Sequence, residues 1–314
     1  MTLEARIREL AKLAGFVDCG ITTTEPFDEF RVAIQERMER FPEAAHLYAP
    51  VAKRMIDSSL SAPWANSIVV CIRRYGKYHL PDGIAGHIGR CYLPYPCWDN
   101  AEMMPTSLSD MGLRVAPANE LIPVRWAASR AGVASLGRNN FAYSEHGSWI
   151  DIRAWFVDAR LQPDQPILER QCPKDCRSCI EACPTGALSE PFVMRWDRCV
   201  AWLTYYAPEP ISSDLWNRMG PWIYGCDRCQ EVCPMNRGKW ETTEEAPELE
   251  QIAPFLRPQA LAQMDQKTYR DIIYPCFERI PLSNLERWKR SARRALAYIP
   301  PVEKHQTAVS SRRG

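Results

Sequence analysis

The sequence has no long hydrophobic segment and almost no net charge. No apolar run in its 314 residues approaches the roughly 18 residues of a membrane-spanning helix, and the N-terminus has no apolar stretch of the secretory type. Arg73-Arg74 lies too far inside the chain for a twin-arginine signal. A net charge of +1 gives no global electrostatic reason to expect nucleic acid or a membrane surface as partner. We therefore expect a soluble, cytoplasmic protein.

Histidine is scarce, with five residues, whereas cysteine is abundant, with thirteen. Eight of the thirteen lie between Cys172 and Cys233, in two runs that each end in Cys-Pro, with Cys199 between them. The first run reads Cys-Pro-Lys-Asp-Cys-Arg-Ser-Cys-Ile-Glu-Ala-Cys-Pro over 172–184. The second reads Cys-Asp-Arg-Cys-Gln-Glu-Val-Cys-Pro over 226–234. The chemistry of the chain is therefore expected to centre on these thiols.

Eight closely spaced cysteines match two [4Fe–4S] clusters, because each of the four irons in a cluster takes one ligand from the protein. Short gaps let one loop wrap three irons, and the fourth iron is reached from elsewhere in the chain. The cysteine that precedes proline then crosses to the other cluster. The first cysteine set is Cys172, Cys176, Cys179 and Cys233. The second cysteine set is Cys183, Cys199, Cys226 and Cys229.

Disulfides and structural zinc are the alternatives for these cysteines. Disulfides suit small secreted chains, and nothing in the sequence indicates secretion. Zinc accepts four cysteines but gives no reason for the paired Cys-x3-Cys-Pro endings. The first gap, Cys-x3-Cys, is one residue longer than the usual Cys-x2-Cys of ferredoxins and is expected to enlarge the loop without losing the ligand. The iron–sulfur interpretation is favoured.

Hydrophobic periodicity predicts helices and strands on either side of the cysteine runs. Thr2 is a candidate N-cap for the first helix, and the run Ser-Ile-Val-Val-Cys-Ile at 67–72 is typical of a buried strand. The predicted helices are 2–15, 27–40, 100–112, 121–134 and most of 258–299. The predicted strands are 16–21, 67–72, 113–116 and 150–157.

Two stretches without periodicity are candidates for ligand-binding loops. Residues 79–105 are rich in Gly, Pro and aromatics, and long irregular loops in compact domains are often functional. Cys91 and Cys97 in this loop could be extra ligands or a redox pair, but no partner motif accompanies them and ordinary thiols are favoured. Gly137-Arg-Asn-Asn140 suits left-handed backbone and close approach to a ligand.

The cysteine runs with their flanking residues resemble the epoxyqueuosine reductases, whose superfamily also contains the corrinoid reductive dehalogenases. The resemblance rests on Cys-Pro-Thr-Gly-Ala-Leu at 183–188, Arg-Cys-Val-Ala-Trp-Leu-Thr at 198–204 and Gly-Cys-Asp-Arg-Cys-Gln-Glu-Val-Cys-Pro-Met-Asn at 225–236. Outside the clusters it extends to 10–21, 65–70, 131–139, 147–149 and 288–296. It covers nearly the whole chain.

This resemblance implies an α+β architecture. A nitroreductase-like domain at 1–165 would bind base-off cobalamin and substrate, a ferredoxin-like domain with two [4Fe–4S] clusters would occupy 166–245, and a helical segment at 246–314 would pack on the N-terminal domain. Base-off binding needs no histidine ligand, which suits a chain with five histidines. An external low-potential donor of the flavodoxin or ferredoxin type would supply electrons. The residues implied for the cofactor are Gly137, Arg138, Asn139, Asn140, Gly147, Ser148 and Trp149.

The chain departs from the family at the positions where the substrate and the proton donor should lie. The family carries an aspartate, proposed as proton donor, at the place of Ala118, and the family's Asp-Tyr-His run is replaced by Pro-Tyr-Pro-Cys-Trp at 94–98. The usual Gly-Lys is Gly137-Arg138, the usual Gly-Trp before it is Ala134-Ser135, and we expect no counterpart of the C-terminal extension that helps some members hold tRNA. We therefore expect a corrinoid iron–sulfur reductase whose substrate could differ from the tRNA base.

A glutamate and a tyrosine are candidates for the missing proton donor. Glu120 follows the altered position, and a carboxyl beside a buried corrin would keep a proton near neutrality, although a helix-start role is the alternative. Tyr92, or Tyr95, could donate a proton as a tyrosine does in reductive dehalogenases, and packing is the alternative for each. Arg138 could bind a corrin amide or a substrate anion, or be a surface charge.

Three functions remain open from the sequence. The first is a cobalamin-dependent reductase of a small or tRNA-borne substrate, and the second is epoxyqueuosine reductase itself with a relocated acid. The third is a non-enzymatic electron carrier or corrinoid-handling protein of the same fold.

Overall fold

The computed structural model describes residues 1–55, 57–96, 102–167, 172–207, 210–277 and 281–298. Helices and strands alternate irregularly through the first 165 residues, and 3-10 turns occur at Pro42–Ala44 and Arg90–Tyr92. The helices there are α1 (Leu3–Leu13), α2 (Asp28–Arg40), α3 (Ala45–Met55), α4 (Ser58–Ser61), α5 (Met103–Asp110) and α6 (Val124–Arg130). The strands are β1 (Asp18–Thr23), β2 (Ser67–Arg74), β3 (Val115–Pro117), β4 (Ser135–Leu136), β5 (Ala142–Tyr143) and β6 (Ile150–Val157).

An antiparallel sheet in the order β1–β2–β6–β3 separates two hydrophobic cores. β2 lies inside the sheet, and its β-branched residues are buried on both faces. Ile68, Val70 and Ile72 pack with side chains of α2, α3 and α6. Val69 and Cys71 point the other way and pack with α1 and α5. This alternation is the period-two pattern of a strand covered on both sides.

The cysteine-rich region is built from short elements joined by loops. It contains α7 (Ser178–Glu181), the hairpin of β7 (Leu188–Glu190) and β8 (Val193–Met194), α8 (Val200–Tyr205), α9 (Ser213–Arg218) and α10 (Arg228–Glu231). 3-10 turns occur at Trp196–Arg198 and Pro234–Asn236. α7 and α10 are equivalent single turns, since each carries the second-to-last cysteine of its run and is followed by Cys-Pro.

The C-terminal segment is helical and shares one core with both preceding regions. Its helices are α11 (Pro247–Leu256), α12 (Pro258–Gln263), α13 (Gln266–Thr268), α14 (Tyr274–Cys276) and α15 (Leu285–Ala297), with a π-helical turn at Tyr269–Ile273 and a 3-10 turn at Leu282–Asn284. Trp288 is buried and stacks on Tyr224 at 4.7 Å between ring centroids. The segment therefore packs on the cysteine-rich region as well as on Tyr75 and Tyr95 of the N-terminal region, whereas the sequence predicted only the N-terminal contact.

The mixed helix and strand content predicted from periodicity is confirmed. The strand at 150–157 is observed with those bounds, and the Thr2 hydroxyl accepts a hydrogen bond from the Ala5 N–H as an N-cap. The helix predicted at 121–134 is shorter, Val124–Arg130, because Pro123 precedes it and Gly132 takes a positive φ after it. α3, which contains Pro50, was not predicted. Among the described residues, no helix is long and apolar enough to span a membrane.

Candidate functional site

The first cysteine set lines a small cavity. All four of its cysteines border this cavity, together with Arg138, Asn139 and Tyr143 of the β4–β5 region. The loop between the first two cysteines is at the surface, since Pro173, Lys174 and Asp175 are all exposed. The backbone N–H of Arg138 donates to the Sγ of Cys172 at 3.4 Å, and the Arg138 guanidinium donates to the Cys176 carbonyl at 2.6 Å. Arg138 therefore holds this loop in place through both its backbone and its side chain.

The second cysteine set lines a much larger cavity of about 1040 Å³. All four cysteines contribute to one wall, and the opposite walls come from α2, from residues 119–129 and from Asn139–Phe141. The Asn139 side chain joins the walls by donating to the Cys229 carbonyl at 3.2 Å and to the Tyr143 hydroxyl at 2.8 Å. The volume is at the upper end of small-molecule and cofactor sites, so a large organic ligand beside these cysteines would fit.

The sulfur spacing distinguishes an iron–sulfur cluster from zinc. A single tetrahedral zinc ion with Zn–S bonds of about 2.3 Å would hold four sulfurs about 3.8 Å apart. Across the part of the chain that the structure describes, no three cysteine sulfurs lie within 4.8 Å of one another. This spacing is wider than a single zinc ion with four cysteine ligands requires.

The environment of the sulfurs suits ligands that are deprotonated only when a metal is bound. Burial raises the pKa of the Cys179 thiol to about 11 and the pKa values of Cys226 and Cys229 well above the ordinary range. Backbone N–H groups nevertheless donate to sulfurs of the second cysteine set, from Leu188 to Cys183 at 3.5 Å and from Arg228 to Cys226 at 3.4 Å. Such donors stabilise thiolate and tune iron–sulfur centres. The donor sets therefore fit two [4Fe–4S] clusters.

The large cavity is mainly apolar, with a few polar groups at the α2 and β4–β5 walls. Arg37 donates to the Asn140 Oδ1 at 2.6 Å and to the Phe192 carbonyl at 2.9 Å, and its burial lowers its pKa. Asn140 has φ of +65°, and its side-chain nitrogen is buried without a hydrogen-bond partner among the described residues. Arg125 donates to the Asn140 carbonyl at 2.6 Å. A polar donor surface therefore interrupts an otherwise hydrophobic wall.

Many protein atoms surround Arg125, although its side chain is exposed to solvent in the open cavity. Desolvation lowers the pKa of its guanidinium, and Tyr92 and Cys91 are among the nearby groups that oppose this shift. The second set's Cys199 and Cys229 also lie close enough to contribute. Arg125 therefore faces both the 3-10 turn Arg90–Tyr92 and the second cysteine set across the same cavity.

Tyr92 is held at the cavity wall by a close-fitting cradle. A Cβ on Gly225, whose φ is +73°, would lie 2.6 Å from the Tyr92 ring, and a Cβ on Gly89 would lie 3.1 Å from it. The Tyr92 ring also packs edge-to-face on Tyr205, at 4.8 Å between centroids, and on Tyr224, at 5.3 Å. Glycine is therefore required on two sides of this ring.

Arg90, two residues before Tyr92, ties this turn to the loop of the second set. Its guanidinium lies over the rings of both Trp149 and Trp240, at 4.8 Å and 4.7 Å from their centroids. Its backbone N–H donates to the Asp227 carboxylate at 2.9 Å, and burial raises the pKa of Asp227 to about 7. Cys91 and Tyr92 are thereby fixed relative to Cys226 and Cys229.

The structure separates the seven residues implied for the cofactor into three groups. Asn139 and Asn140 line the large cavity, whereas Arg138 borders the first cysteine set and Gly137 packs tightly on the Tyr143 ring. Of the remaining three, Gly147 and Ser148 contact Asn236 after the second cysteine run, and the Trp149 ring packs on Tyr75 and Trp240; none of the three lines the large cavity.

The hydrogen bonds of Ser148 show what holds this third group away from the cavity. Its N–H donates to the Asn236 side chain at 2.8 Å, and its hydroxyl accepts from both Gln230, at 2.9 Å, and Asn236, at 2.8 Å. A Cβ on Gly147 would clash with the Asn236 Oδ1, so the Asn236 side chain lies directly against the Gly147 backbone. This turn therefore joins the N-terminal region to the second cysteine run.

The two candidate proton donors lie in different environments. Tyr92 lines the large cavity, as Cys91 does. Glu120 is exposed and is not among the cavity-lining residues, so its position does not favour the expected role. Ala118 is fully buried, and the neighbouring Asn119 lines the cavity while its side chain bonds to the β6 backbone at Ile152 and Ala154. Tyr95 is buried, and Cys97 lies outside the described residues.

Sequence reasoning missed Arg37 and Arg125 as groups of the site. A signal for Arg37 was present, because Phe30, Ile34 and Arg37 recur at helical spacing on one face of α2 and all three are buried. An arginine on an otherwise apolar helix face indicates an internal partner. Arg125 had no comparable signal, since it depends on how α6 faces the cysteine loops.

Comparison with known proteins agrees with this site. Residues 171–236 match a family described as a 4Fe-4S double cluster binding domain. An epoxyqueuosine reductase of Bacillus subtilis is 36% identical over 286 residues, which cover 82% of this chain and 70% of the relative. This chain belongs to the epoxyqueuosine reductase family. The family resemblance stated from the sequence is confirmed, and with it membership of a family of oxidoreductases.

Other epoxyqueuosine reductases agree over different lengths. The Escherichia coli protein is 33% identical over 216 residues, and the match spans 65% of this chain but only about half, 54%, of the relative. A crystal structure of an epoxyqueuosine reductase with an epoxyqueuosine-modified tRNA-Tyr stem loop superposes with a TM-score of 0.78 at 25% identity. That match covers 94% of this chain and 81% of the other. The fold is therefore shared along nearly all of this chain.

Proposed function

We propose that this protein is an iron–sulfur and cobalamin-dependent reductase that acts on epoxyqueuosine in tRNA. The observation that carries the proposal is the shared cavity: the second cysteine set forms one wall, and the N-terminal region forms the others. The crystallised relative with a modified tRNA stem loop supports this substrate. The sequence interpretation gave more weight to a different substrate, and the family relationship now favours epoxyqueuosine.

The two cysteine sets would hold the two [4Fe–4S] clusters. The first set offers four sulfurs around the small cavity, and the second offers four at the large one. Asn139, Arg138 and Ser148 fix the loops that carry them through hydrogen bonds from the N-terminal region. In this arrangement the protein supplies a route from the first set to the large cavity.

The large cavity would hold the corrinoid and the substrate. Asn139, Asn140, Arg37 and the apolar face of α2 are the residues available to bind it. When bound, the clusters supply one-electron transfer and the corrinoid supplies a low-potential cobalt centre for reduction. The chain itself orients the reactants, excludes water with its apolar walls and provides protons.

Tyr92 is the residue proposed to donate a proton. Converting an epoxide to an alkene takes up two electrons and two protons and releases water, so the cavity must deliver protons to the departing oxygen. The Gly89–Gly225 cradle fixes the phenol ring at the wall, and the nearby Arg125 guanidinium would stabilise the phenolate left after transfer. Arg37, which hydrogen-bonds Asn140, would set the position of the facing wall.

A second candidate, a related reductase with another substrate, is favoured by one observation. Ala118, buried and apolar, stands where the family carries an aspartate. In a structure of the B. subtilis enzyme, an aspartate-bearing catalytic loop is swung out of the active site. Here Asn119 instead bonds its loop to β6, at 2.7 Å to the Ile152 carbonyl and 2.8 Å from the Ala154 N–H.

The test is anaerobic preparation with cobalamin, followed by iron, sulfide and cobalt analysis and an assay on epoxyqueuosine-containing tRNA. About eight irons per chain and one cobalt are expected, with conversion to queuosine. Eight irons and one cobalt without conversion would leave the second candidate. Eight irons without cobalt would contradict both and favour an electron-carrier role.

A further inference from the structure

We propose that the loops carrying the first cysteine set form a docking face for an acidic, one-electron carrier protein. This inference rests on the proposed function, since it assigns the entry point of the electrons. The docking face comprises residues 172–181 and 233–239 together with Arg138.

The first set is the part of the relay that a protein partner can reach. Pro173, Lys174, Asp175 and Arg177, which lie between its cysteines, are all exposed. In the second set, by contrast, Thr185, Asp227 and Gln230 are buried and all four cysteines line the large cavity, although Arg228 is exposed. Because electron transfer requires close approach, a protein donor meets the first set before the second.

The docking face is also more basic than the chain as a whole. The docking face has five basic residues and two acidic ones, in a chain whose basic and acidic residues are almost balanced at 39 and 38. The second-set loop 226–231 has two acidic residues and one basic residue. The five basic residues are Arg138, Lys174, Arg177, Arg237 and Lys239, and the two acidic ones are Asp175 and Glu181.

Among the described residues, none of these five basic side chains forms an ion pair, so their charge remains available for long-range attraction. Lys174, Arg177 and Arg237 are exposed, and Arg138 is fixed by its bond to the Cys176 carbonyl at 2.6 Å. A local basic surface raises the rate of encounter with an acidic partner and orients it, and salt screens this effect. In the step that follows, the carrier loses one electron to the centre held by the first set, and no bond forms or breaks.

Binding to oxidised flavodoxin, an acidic carrier that is then redox-inert, gives the direct test. Isothermal titration calorimetry on the iron-loaded protein at low salt should show that Lys174→Glu with Arg177→Glu raises Kd at least about tenfold. The matched control is Arg6→Glu with Lys12→Glu, which changes the total charge equally at exposed sites of α1 and should raise Kd less than about twofold.

The rate of cluster reduction provides the second readout. Flavodoxin hydroquinone should reduce the clusters of the Lys174/Arg177 variant about tenfold more slowly than those of the native protein, whereas photoreduced deazaflavin, a small reductant, should reduce both at similar rates. If the Lys174/Arg177 variant takes up fewer irons, Arg237→Glu replaces it.

Equal weakening by the α1 control, or a native Kd that does not rise with salt, would overturn the proposal. Neither readout needs cobalamin or tRNA. A protein that binds flavodoxin as predicted but does not convert epoxyqueuosine would therefore contradict the proposed function alone.

Discussion

The two cysteine sets have similar local sequences but different surroundings. Each run places its second-to-last cysteine on a one-turn helix, α7 or α10, and its last cysteine before proline. The first set borders a small cavity beneath an exposed basic loop, whereas the second opens onto a cavity of about 1040 Å³. Equivalent metal-binding loops can therefore serve as entry and exit of one relay, because the surrounding chain determines what each one meets.

Removing one ligand from each set should break the relay at different points, with the largest effects. Cys176→Ala should abolish turnover with a protein carrier but retain some with a small reductant that can reach the large cavity. Cys229→Ala should abolish turnover with both, because the lost centre is the one at the cavity. Each variant should lose about four irons. If each variant lost the same fraction of its turnover with the protein carrier as with the small reductant, the proposed difference between the two sets would be contradicted.

Replacing Tyr92 tests the chemistry at the exit side. Tyr92→Phe keeps the ring in its glycine cradle and removes the proton, so turnover should fall about 10²-fold or more. Iron and cobalt contents should remain those of the native protein. The exposed Tyr206 provides the control, since Tyr206→Phe should leave turnover unchanged. Undiminished turnover of the Tyr92 variant would remove its proposed role.

The cradle itself can be tested through stability. Gly225→Ala introduces a Cβ 2.6 Å from the Tyr92 ring at a positive φ, so it should lower the free energy of unfolding by roughly 2–4 kcal/mol. Gly238→Ala has a similar φ of +68° with no atom within 4 Å and should cost about 1 kcal/mol. Thermal unfolding of the cluster-loaded variants measures both, and equal losses would show that the Tyr92 contact contributes nothing.

The junction between the regions should give the smallest effect. Ser148→Ala removes a hydroxyl that accepts from Gln230 and Asn236, which should cost about 1–2 kcal/mol without changing turnover at low temperature. Ser109→Ala, at an exposed site of α5, is the control and should be neutral. A large loss of iron from the Ser148 variant would contradict this expectation, since it would mean that the other bonds at the junction do not hold the cluster loops in place.

The sequence predicted local features better than the pairing of distant ones. The strand at 150–157 and the division of eight cysteines into runs follow from periodicity and spacing, which are local. Arg37, Arg125 and Tyr92 meet in one cavity only through tertiary packing of α2, α6 and the Arg90–Tyr92 turn. Gly147–Trp149 were assigned to the cofactor from family resemblance, but in the structure they contact Asn236, Gln230 and Arg90.

Electron paramagnetic resonance of single-cluster variants tests whether the second cysteine set is the one beside the large cavity. Reduced Cys176→Ala protein, which keeps the second set, and reduced Cys229→Ala protein, which keeps the first, are each measured with and without bound cob(II)alamin. The cluster signal of the Cys176 variant should be broadened or split by the paramagnetic cobalt. The signal of the Cys229 variant should change little. The opposite pattern, or equal changes in both variants, would contradict the assignment of the second set to the large cavity.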